Sequence, residues 1–209
     1  MATTGARSDR RGTRERILDL AQAAVLRKRF ANTSIDELIA GAEISRSGFF
    51  YHFKDKNALA LALLQRYLDQ HNAMIEALFV RADELHDDPL HSFLIAIKLF
   101  AENMEALPAT HPGCVVAALC YHDQSHFDNV RALNAQGMVE WRGKIRCRLD
   151  RIAERYEPRP GTDLEALADL ATVIIEGAII LTKVLDDNRL LAKQILLYRD
   201  FVRAAFAQG

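Results

Sequence analysis

Apolar residues recur every three or four positions along most of the chain, which is the spacing of one face of an α-helix. The alternation of a β-strand does not occur, and no internal repeat is present. The spacing predicts an all-α protein of about nine helices, over residues 13–29, 33–41, 45–52, 55–81, 89–104, 114–121, 126–156, 163–186 and 188–207. Residues 1–9 are small and polar and are predicted to be disordered.

The two short helices at 33–52 are punctuated by residues that favour helix starts. Ser34, in the pair Thr33-Ser34, and Ser45 each offer a hydroxyl that can accept from the free N–H groups of a first helical turn. Asp36 and Glu37 place negative charge at the positive end of the first helix dipole. These signals predict two helices joined by a tight turn around residues 41–44.

The second short helix has a packing side and an open side. Phe49 and Phe53 are four residues apart, so both can pack against the preceding helix. The other side carries a cation, small polar residues and flat rings, which are Arg46, Ser47, Gly48, Phe50 and Tyr51. A short helix of this kind fits the major groove of duplex DNA.

This stretch resembles the DNA-binding domain of the TetR (tetracycline repressor) family of transcriptional regulators. The matching positions are Arg16 to Asp19, Ala21, Thr33 to Ile35, Leu38, Ala42, Ile44, Ser45, Phe49, Tyr51 to Lys54, Lys56 and Leu59. The resemblance implies a three-helix helix-turn-helix domain over residues 1–55. It also implies a helical effector-binding and dimerisation domain over residues 56–209.

Five positions depart from the family pattern. Arg29 and Glu43 stand where the family often has glycine. The pair Ser47-Gly48 stands where it prefers glycine and then a polar residue, and Phe50 stands where it prefers a tyrosine that binds phosphate. The mode of docking therefore carries over, but the base preference does not.

The resemblance and the residue types together assign the DNA contacts. Phosphate contacts are expected from Thr33, Ser34, Tyr51 and Lys56. Base contacts are expected from Arg46, Ser47 and Gly48, since a guanidinium can bind a guanine edge with two hydrogen bonds. The predicted surface is completed by Ser45, Phe50 and His52.

Charge is distributed unevenly although the net charge is only −1. Residues 1–60 hold 11 Lys and Arg against 7 Asp and Glu, whereas residues 61–209 hold 16 against 21. A cationic first quarter suits a DNA-reading head, although an asymmetry of this size is also common by chance. A non-specific architectural DNA binder would be far more basic than a chain of pI 6.7.

The chain lacks an apolar N-terminal segment and any run of ~20 apolar residues, so a cytoplasmic protein without membrane contact is expected. Its three cysteines form no disulfide framework and suggest free thiols. No cofactor, metal site or catalytic group is assigned.

A small-molecule effector is implied by the resemblance, with a site in the second domain. Candidate residues form an apolar and aromatic set with a few polar groups, as ligand sites do: Phe100, Met104, Cys114, Tyr121, His122, Phe127, Met138 and Trp141. Glu176 is added, because a charge on an apolar helix usually has a partner or a task. The alternative for each is an ordinary core residue.

The last two helices are predicted to form a four-helix interface with a second copy of the chain. The interface residues are Val173, Gly177, Ile180, Leu181, Ile195, Tyr198 and Val202. A two-fold dimer suits a palindromic operator, whose half-sites lie ~34 Å apart. The alternative is that both helices are core helices of a monomer, and the first, apolar nearly all round, is predicted to be buried on several sides.

Three further hypotheses concern cysteine and histidine. Cys114 follows Gly113 at a helix start, where a thiol becomes more reactive, so an electrophile or redox sensor of the same fold is an alternative. A zinc or nickel site formed by His111, Cys114, Cys120, His122 and His126 would match no standard spacing. A thiol-dependent enzyme using Cys120 and His122 lacks a group that would orient the pair.

Overall fold

A computed structural model describes residues 4–120 and 128–207, with side chains from residue 12 onward. The described residues form α-helices and no strand, which confirms the all-α prediction. The helices are α1 (Thr4–Lys28), α2 (Ile35–Gly41), α3 (Arg46–His52), α4 (Lys56–Leu85), α5 (Pro89–Glu105), α6 (Val115–Cys120), α7 (Asp128–Ala153), α8 (Leu164–Leu185) and α9 (Arg189–Phe206). None of these helices is long and apolar enough to cross a membrane.

Side-chain caps fix several of the helix starts where the sequence places them. The hydroxyl of Ser34 accepts from the backbone N–H of Glu37, and that of Ser45 accepts from Gly48. Asp88 caps α5 and Asp163 caps α8 in the same way. These contacts satisfy donors that a helix start otherwise leaves unpaired, so the boundaries follow from local chemistry.

The first helix is longer than the sequence predicts. It begins at Thr4, so the prediction of a disordered tail over residues 1–9 is wrong from that residue onward. No proline interrupts the segment before residue 13, so no residue in it blocks the helical backbone.

Two turns of the N-terminal region use left-handed backbone at residues other than glycine. Arg29, directly after α1, has φ of 70°, and Glu43, between α2 and α3, has φ of 52°. A side chain in this region costs on the order of 1 kcal/mol that glycine avoids. At both of these turn positions the resemblance expects glycine, so the chain keeps the turn geometry without its preferred residue.

The chain divides into two compact units. Unit 1 comprises Met1–Asp69 and Pro112–Gln136, and unit 2 comprises Gln70–His111 and Gly137–Gly209. The helices α4 and α7 therefore each contribute residues to both units. Unit 1 extends beyond the predicted division at residue 55, since it also takes in the first half of α4 and all of α6.

Each unit has its own apolar core. In unit 1 the buried side chains come from α1 to α4, α6 and the start of α7, and they include Ile17, Leu38, Phe49, Leu63 and Leu119. In unit 2, α9 packs against α5 and α8. These buried apolar faces hold the helices of each unit against one another.

Candidate nucleic-acid interface and effector cavity

The inner side of α3 anchors it to the core of unit 1. Phe49 and Phe53 are buried, and their ring centroids lie 5.8 Å apart. Leu38 of α2 is buried in the same cluster. The spacing of four residues therefore sets which side of α3 faces inward, as predicted.

The outer side of α3 is open to solvent. Arg46 and Ser47 are exposed, the side chain of Phe50 is 41% exposed, and that of Tyr51 is 66% exposed. His52 is half-buried, and its ring meets that of Tyr51 edge-on at 5.2 Å between centroids. Two large aromatic side chains in water beside a cation form a surface suited to a partner rather than to a core.

Arg46 is held in place by the preceding helix. One guanidinium nitrogen donates to Asp36 Oδ1 at 2.7 Å, and the guanidinium carbon lies 5.8 Å from the ring centroid of Phe50. Both side chains of the ion pair are largely exposed, at 66% and 73%. An exposed pair of this kind contributes little free energy, so Arg46 can exchange Asp36 for an acceptor on a nucleic acid.

Small polar groups occupy the start of α3. The hydroxyl oxygens of Ser45 and Ser47 lie 3.0 Å apart, and Ser45 also accepts from the N–H of Gly48 at 3.0 Å. A Cβ added at Gly48 would lie 3.3 Å from Ser45 Oγ. Glycine at position 48 therefore leaves room for the Ser45 cap and places no side chain on the surface beside Arg46.

Lys56, the first residue of α4, supports a loop as well as carrying charge. Its Nζ donates to the carbonyl of Ala31 at 3.2 Å and lies 4.8 Å from the ring centroid of Phe30. Partial burial lowers the pKa of Lys56, because a less hydrated ammonium is less stable. The same start is capped by Asp55, which accepts from Ala58 N–H at 2.7 Å.

Thr33 has a different place from the one predicted. Its side chain is buried at 1% exposure, and its hydroxyl donates to the carbonyl of Arg29 at 3.1 Å. The structure thus removes Thr33 from the expected phosphate contacts and assigns it to bracing the turn after α1. Ser34, one residue on, is exposed, although its hydroxyl caps α2.

A single arginine joins α4 to α1 beneath this surface. Arg66 donates to Asp19 at 2.7 Å, to Glu15 at 3.2 Å and to Gln22 at 3.1 Å, and its side chain is only 13% exposed. Three acceptors on one face of α1 fix the relation of the two helices. The start of α4, with Lys56, is thereby held relative to α1.

Unit 2 contains an apolar cavity that is partly open to solvent, and the empty space in and in front of it is about 440 Å³. From α4 and α5 it is lined by Ile75, Leu78, Phe79, Phe93, Ala96, Ile97 and Phe100. From α7, α8 and α9 it is lined by Trp141, Ile145, Ala171, Ile175, Ile195 and Tyr198. Only apolar atoms of these described residues are accessible from it. An apolar lining with several aromatic side chains is typical of ligand pockets.

The predicted effector residues are only partly brought together there. Phe100 and Trp141 line the cavity, whereas Met104, Met138 and Glu176 do not, and Cys114 belongs to unit 1. Tyr121, His122 and Phe127 lie outside the described residues. The sequence missed most of the lining because apolar side chains around a cavity have the same spacing as those of a filled core.

Thiols and histidines form no metal site within the described part of the chain. Cys114 is half-buried, and Cys120 and Cys147 are exposed. No group of three or more His, Cys, Asp or Glu that could hold a metal ion is found among the described residues. His122 and His126, which the metal hypothesis used, lie outside them.

One side of α8 is apolar and exposed. Val173, Ile180 and Leu181 are 64%, 60% and 44% exposed, Gly177 is exposed on the same side, and the row continues through Val184 at 74% and Leu185 at 62%. The prediction that this helix is buried on several sides is therefore wrong for the isolated chain. Glu176 is half-exposed rather than buried.

The α9 residues predicted for the interface face the other way. Ile195, Tyr198 and Val202 are at most 4% exposed, because they pack inside their own chain. The exposed apolar residues of α9 are Leu197 at 43% and Phe201 at 46%. We call the exposed set formed by Val173, Ile180, Leu181, Val184, Leu185, Leu197 and Phe201 the α8–α9 face.

Comparison with known proteins gives matches over both units. Residues 17–63 match the family described as bacterial regulatory proteins, tetR family, and residues 94–196 match the tetracyclin repressor-like C-terminal domain. The HTH-type transcriptional regulator EthR of Mycolicibacterium smegmatis is 30% identical over 94 residues, which are 45% of this chain and 42% of that protein. The HTH-type transcriptional repressor NemR of Escherichia coli is 26% identical over 108 residues, which are 51% of this chain and 52% of that protein.

The chain thus matches only about half the length of these curated relatives. A solved structure of a TetR-family transcriptional regulator from Agrobacterium tumefaciens matches with a TM-score of 0.77 at 20% identity, over 95% of this chain and 100% of that one. At this identity the likeness establishes the fold.

Proposed function

The chain belongs to the TetR family of bacterial regulatory proteins, and we propose that it is a homodimeric transcriptional repressor that a small molecule releases from a palindromic DNA operator. The observation that carries the proposal is the open side of α3. Arg46, Ser47, Phe50 and Tyr51 stand in water there, while Phe49 anchors the helix from behind. As a DNA-binding regulator the protein would act in the cytoplasm.

Base reading is assigned to Arg46, Ser47 and Gly48, and phosphate binding to Ser34, Tyr51 and Lys56. Arg46 already presents a guanidinium at the surface of α3, and Asp36 supplies a weak acceptor that DNA can replace. Phe50 offers a ring in place of a hydroxyl, so its contribution would be packing against sugar or a thymine methyl group.

Release of DNA would follow from differential affinity for two conformations. An effector that binds one arrangement of the dimer more tightly shifts the population toward it. If that arrangement spaces the two α3 helices wrongly for the operator, DNA affinity falls by the same coupling free energy. The cavity of unit 2 is the proposed effector site.

Neither alternative role of the thiols is adopted. A cysteine sensor would need Cys114 to be more reactive than an ordinary thiol, and a half-buried position alone does not provide this. The family consists of transcriptional regulators, and no catalytic group is assigned to this chain.

The test of the proposal is selection of binding sites from random duplex DNA, followed by titration. The wild-type protein is expected to enrich a two-fold symmetric sequence. The Arg46→Ala variant is expected to lose preference at one base pair in each half-site, weakening operator binding by roughly 10- to 100-fold per contact. A matched control is Arg81→Ala, which removes an arginine of similar exposure that forms an ion pair with Glu84 in unit 2. Enrichment of the same sequence with equal affinity by both variants would rule out Arg46 as a base reader.

A second prediction separates charge from sequence reading. Lys56→Gln keeps a donor for the Ala31 carbonyl but removes the positive charge. Binding should weaken on every DNA sequence alike, and the slope of log affinity against log salt should fall by about one per subunit. Lys98→Gln, an exposed lysine of α5, serves as control and should leave the slope unchanged. An unchanged slope for Lys56→Gln, with stability intact, would remove Lys56 from the phosphate contacts.

A further inference from the structure

The cavity of unit 2 is built to bind a neutral, apolar molecule and to reject ionised ones. We propose this as the chemical class of its ligand, and the assignment deepens the proposed function because it takes that cavity as the effector site. The argument rests on the chemistry of the lining, on the engagement of its one hydroxyl and on the pairing of the cation nearest to one of its rings.

The lining presents no polar atom to the inside of the cavity. The thirteen residues around the cavity are aliphatic or aromatic, and only their apolar atoms are accessible from inside. An ionised group placed there would lose its water without gaining a partner, which is strongly unfavourable. An apolar molecule would instead remove carbon surface from water on both sides of the contact.

The hydroxyl of Tyr198 is already committed elsewhere. It donates to the backbone carbonyl of Leu167 at 3.1 Å, and the residue is 4% exposed. Burial raises the pKa of Tyr198, because the phenolate would be poorly solvated. The side chain therefore presents its ring to the cavity and keeps its donor for α8.

The cation beside the lining ring of Phe79 is neutralised. The guanidinium carbon of Arg148 lies 4.4 Å from the ring centroid of Phe79. The same guanidinium donates to both carboxylate oxygens of Asp83, at 2.6 and 2.9 Å. To pair with a bound anion it would have to leave Asp83 unpaired, so it does not make the cavity attractive to acids.

Aromatic rings shape the space and favour a flat ligand. Phe79 and Phe93 lie 6.2 Å apart between centroids at an interplanar angle of 50°. Phe100 and Trp141 add two further rings. Rings in this arrangement offer edges and faces to an aromatic guest.

Two fluorescent probes that differ by one charged group test the proposal. N-phenyl-1-naphthylamine is neutral, and 8-anilino-1-naphthalenesulfonate is the same skeleton with a sulfonate. Because Trp141 is the chain's sole tryptophan and lines the cavity, energy transfer from it reports binding. The neutral probe is expected to fill one site per chain, and the sulfonate to compete for that site on the order of 100-fold more weakly.

Variants of small lining residues locate the probe. Ala96→Leu and Ala171→Leu add side-chain volume inside the cavity and are each expected to weaken the neutral probe by about 10-fold or more. Ala101→Leu adds the same volume to α5 at a buried alanine outside the lining, and should leave probe affinity unchanged. Should a filled variant fail to fold, the competition between the two probes on the wild-type protein decides alone.

The proposal would be overturned if the sulfonate bound the same site as tightly as the neutral probe. It would also be overturned if Ala96→Leu and Ala171→Leu both folded and bound the neutral probe as tightly as wild type. The binding of selected operator DNA is measured on the same samples without probe. Absence of DNA binding would refute the proposed function and leave the probe result standing. Normal DNA binding with no neutral-probe site would refute this inference alone.

Discussion

A protein carrying both Ile180→Glu and Val184→Glu is expected to be monomeric and to bind its operator at least about 100-fold more weakly than wild type. Both residues lie on the α8–α9 face and are 60% and 74% exposed in the single chain. In a two-fold dimer each substitution appears twice, so four carboxylates would be placed in one apolar contact, where they have no partners.

The loss of DNA affinity follows from the loss of the second half-site. A dimer that holds one α3 on DNA presents the other at a high effective concentration, and a monomer does not. Sedimentation measures the oligomeric state, and fluorescence anisotropy with the selected operator measures affinity. The two readings should change together.

The matched control introduces the same charge at equally exposed valines. Val80 and Val139 are 58% and 63% exposed and lie on α4 and α7 of unit 2, outside the α8–α9 face. Val80→Glu with Val139→Glu should remain dimeric with normal operator affinity. A dimer that survives the α8 substitutions, or a wild-type protein that is already monomeric, would contradict the proposed interface.

The second large effect concerns Asp88, which joins the start of α5 to the turn that follows α7. Its Oδ1 accepts from the backbone N–H groups of Leu90 and His91 at 3.1 and 3.0 Å and lies 2.8 Å from Nδ1 of the His91 ring. Its Oδ2 accepts from the hydroxyl of Tyr156 at 2.7 Å and forms an ion pair with Arg155 at 3.1 Å. Asp88→Ala removes all five contacts and should lower the free energy of unfolding by about 2–4 kcal/mol.

The pH dependence of this effect has a definite sign. Burial pushes the pKa of Asp88 upward, but the His91 N–H, the Tyr156 hydroxyl and the Arg155 charge outweigh it and hold the pKa well below its usual range. A carboxyl whose pKa is depressed by folding stabilises the protein fully above its unfolded pKa of ~3.9. That contribution is lost as the pH falls toward the folded value.

Urea unfolding followed by Trp141 fluorescence measures the effect, since Trp141 belongs to the same unit. Asp88→Asn keeps the cap oxygen and should cost less than Asp88→Ala, because asparagine is also a good cap. The gap between wild type and Asp88→Asn should be constant above about pH 5 and should narrow below pH 4. Equal stability of wild type and Asp88→Ala would show that the five contacts of Asp88 do not stabilise the fold.

The helix-turn-helix could be predicted in detail because its signals are local. Ser34 and Ser45 cap the helices that follow them, and Phe49 and Phe53 share a side because they are four residues apart. Each of these contacts joins residues within about one turn of helix, so it can be predicted from the local sequence. The position of Thr33 was misjudged because its burial depends on how the turn after α1 folds back.

The ion pair between Arg46 and Asp36 could not be predicted from the local sequence either. Asp36 looks like a residue that only suits the start of α2, yet it accepts from Arg46 ten positions later. The angle between α2 and α3 decides that contact, and the angle depends on how Leu38 and Phe49 pack.

Caps and apolar spacing act over a few residues, so the amino-acid sequence is enough to predict that this protein is built of helices and that an open, cationic helix follows a capped turn. Which apolar residues of α8 and α9 are buried, and which of them surround a cavity, depends instead on how distant segments of the chain pack together. Ile195 and Leu197 look alike along the chain, yet one is 2% exposed and the other 43%. The spacing of apolar residues predicts that one side of a helix will be buried. Which element packs against that side depends on contacts between segments that are far apart in sequence.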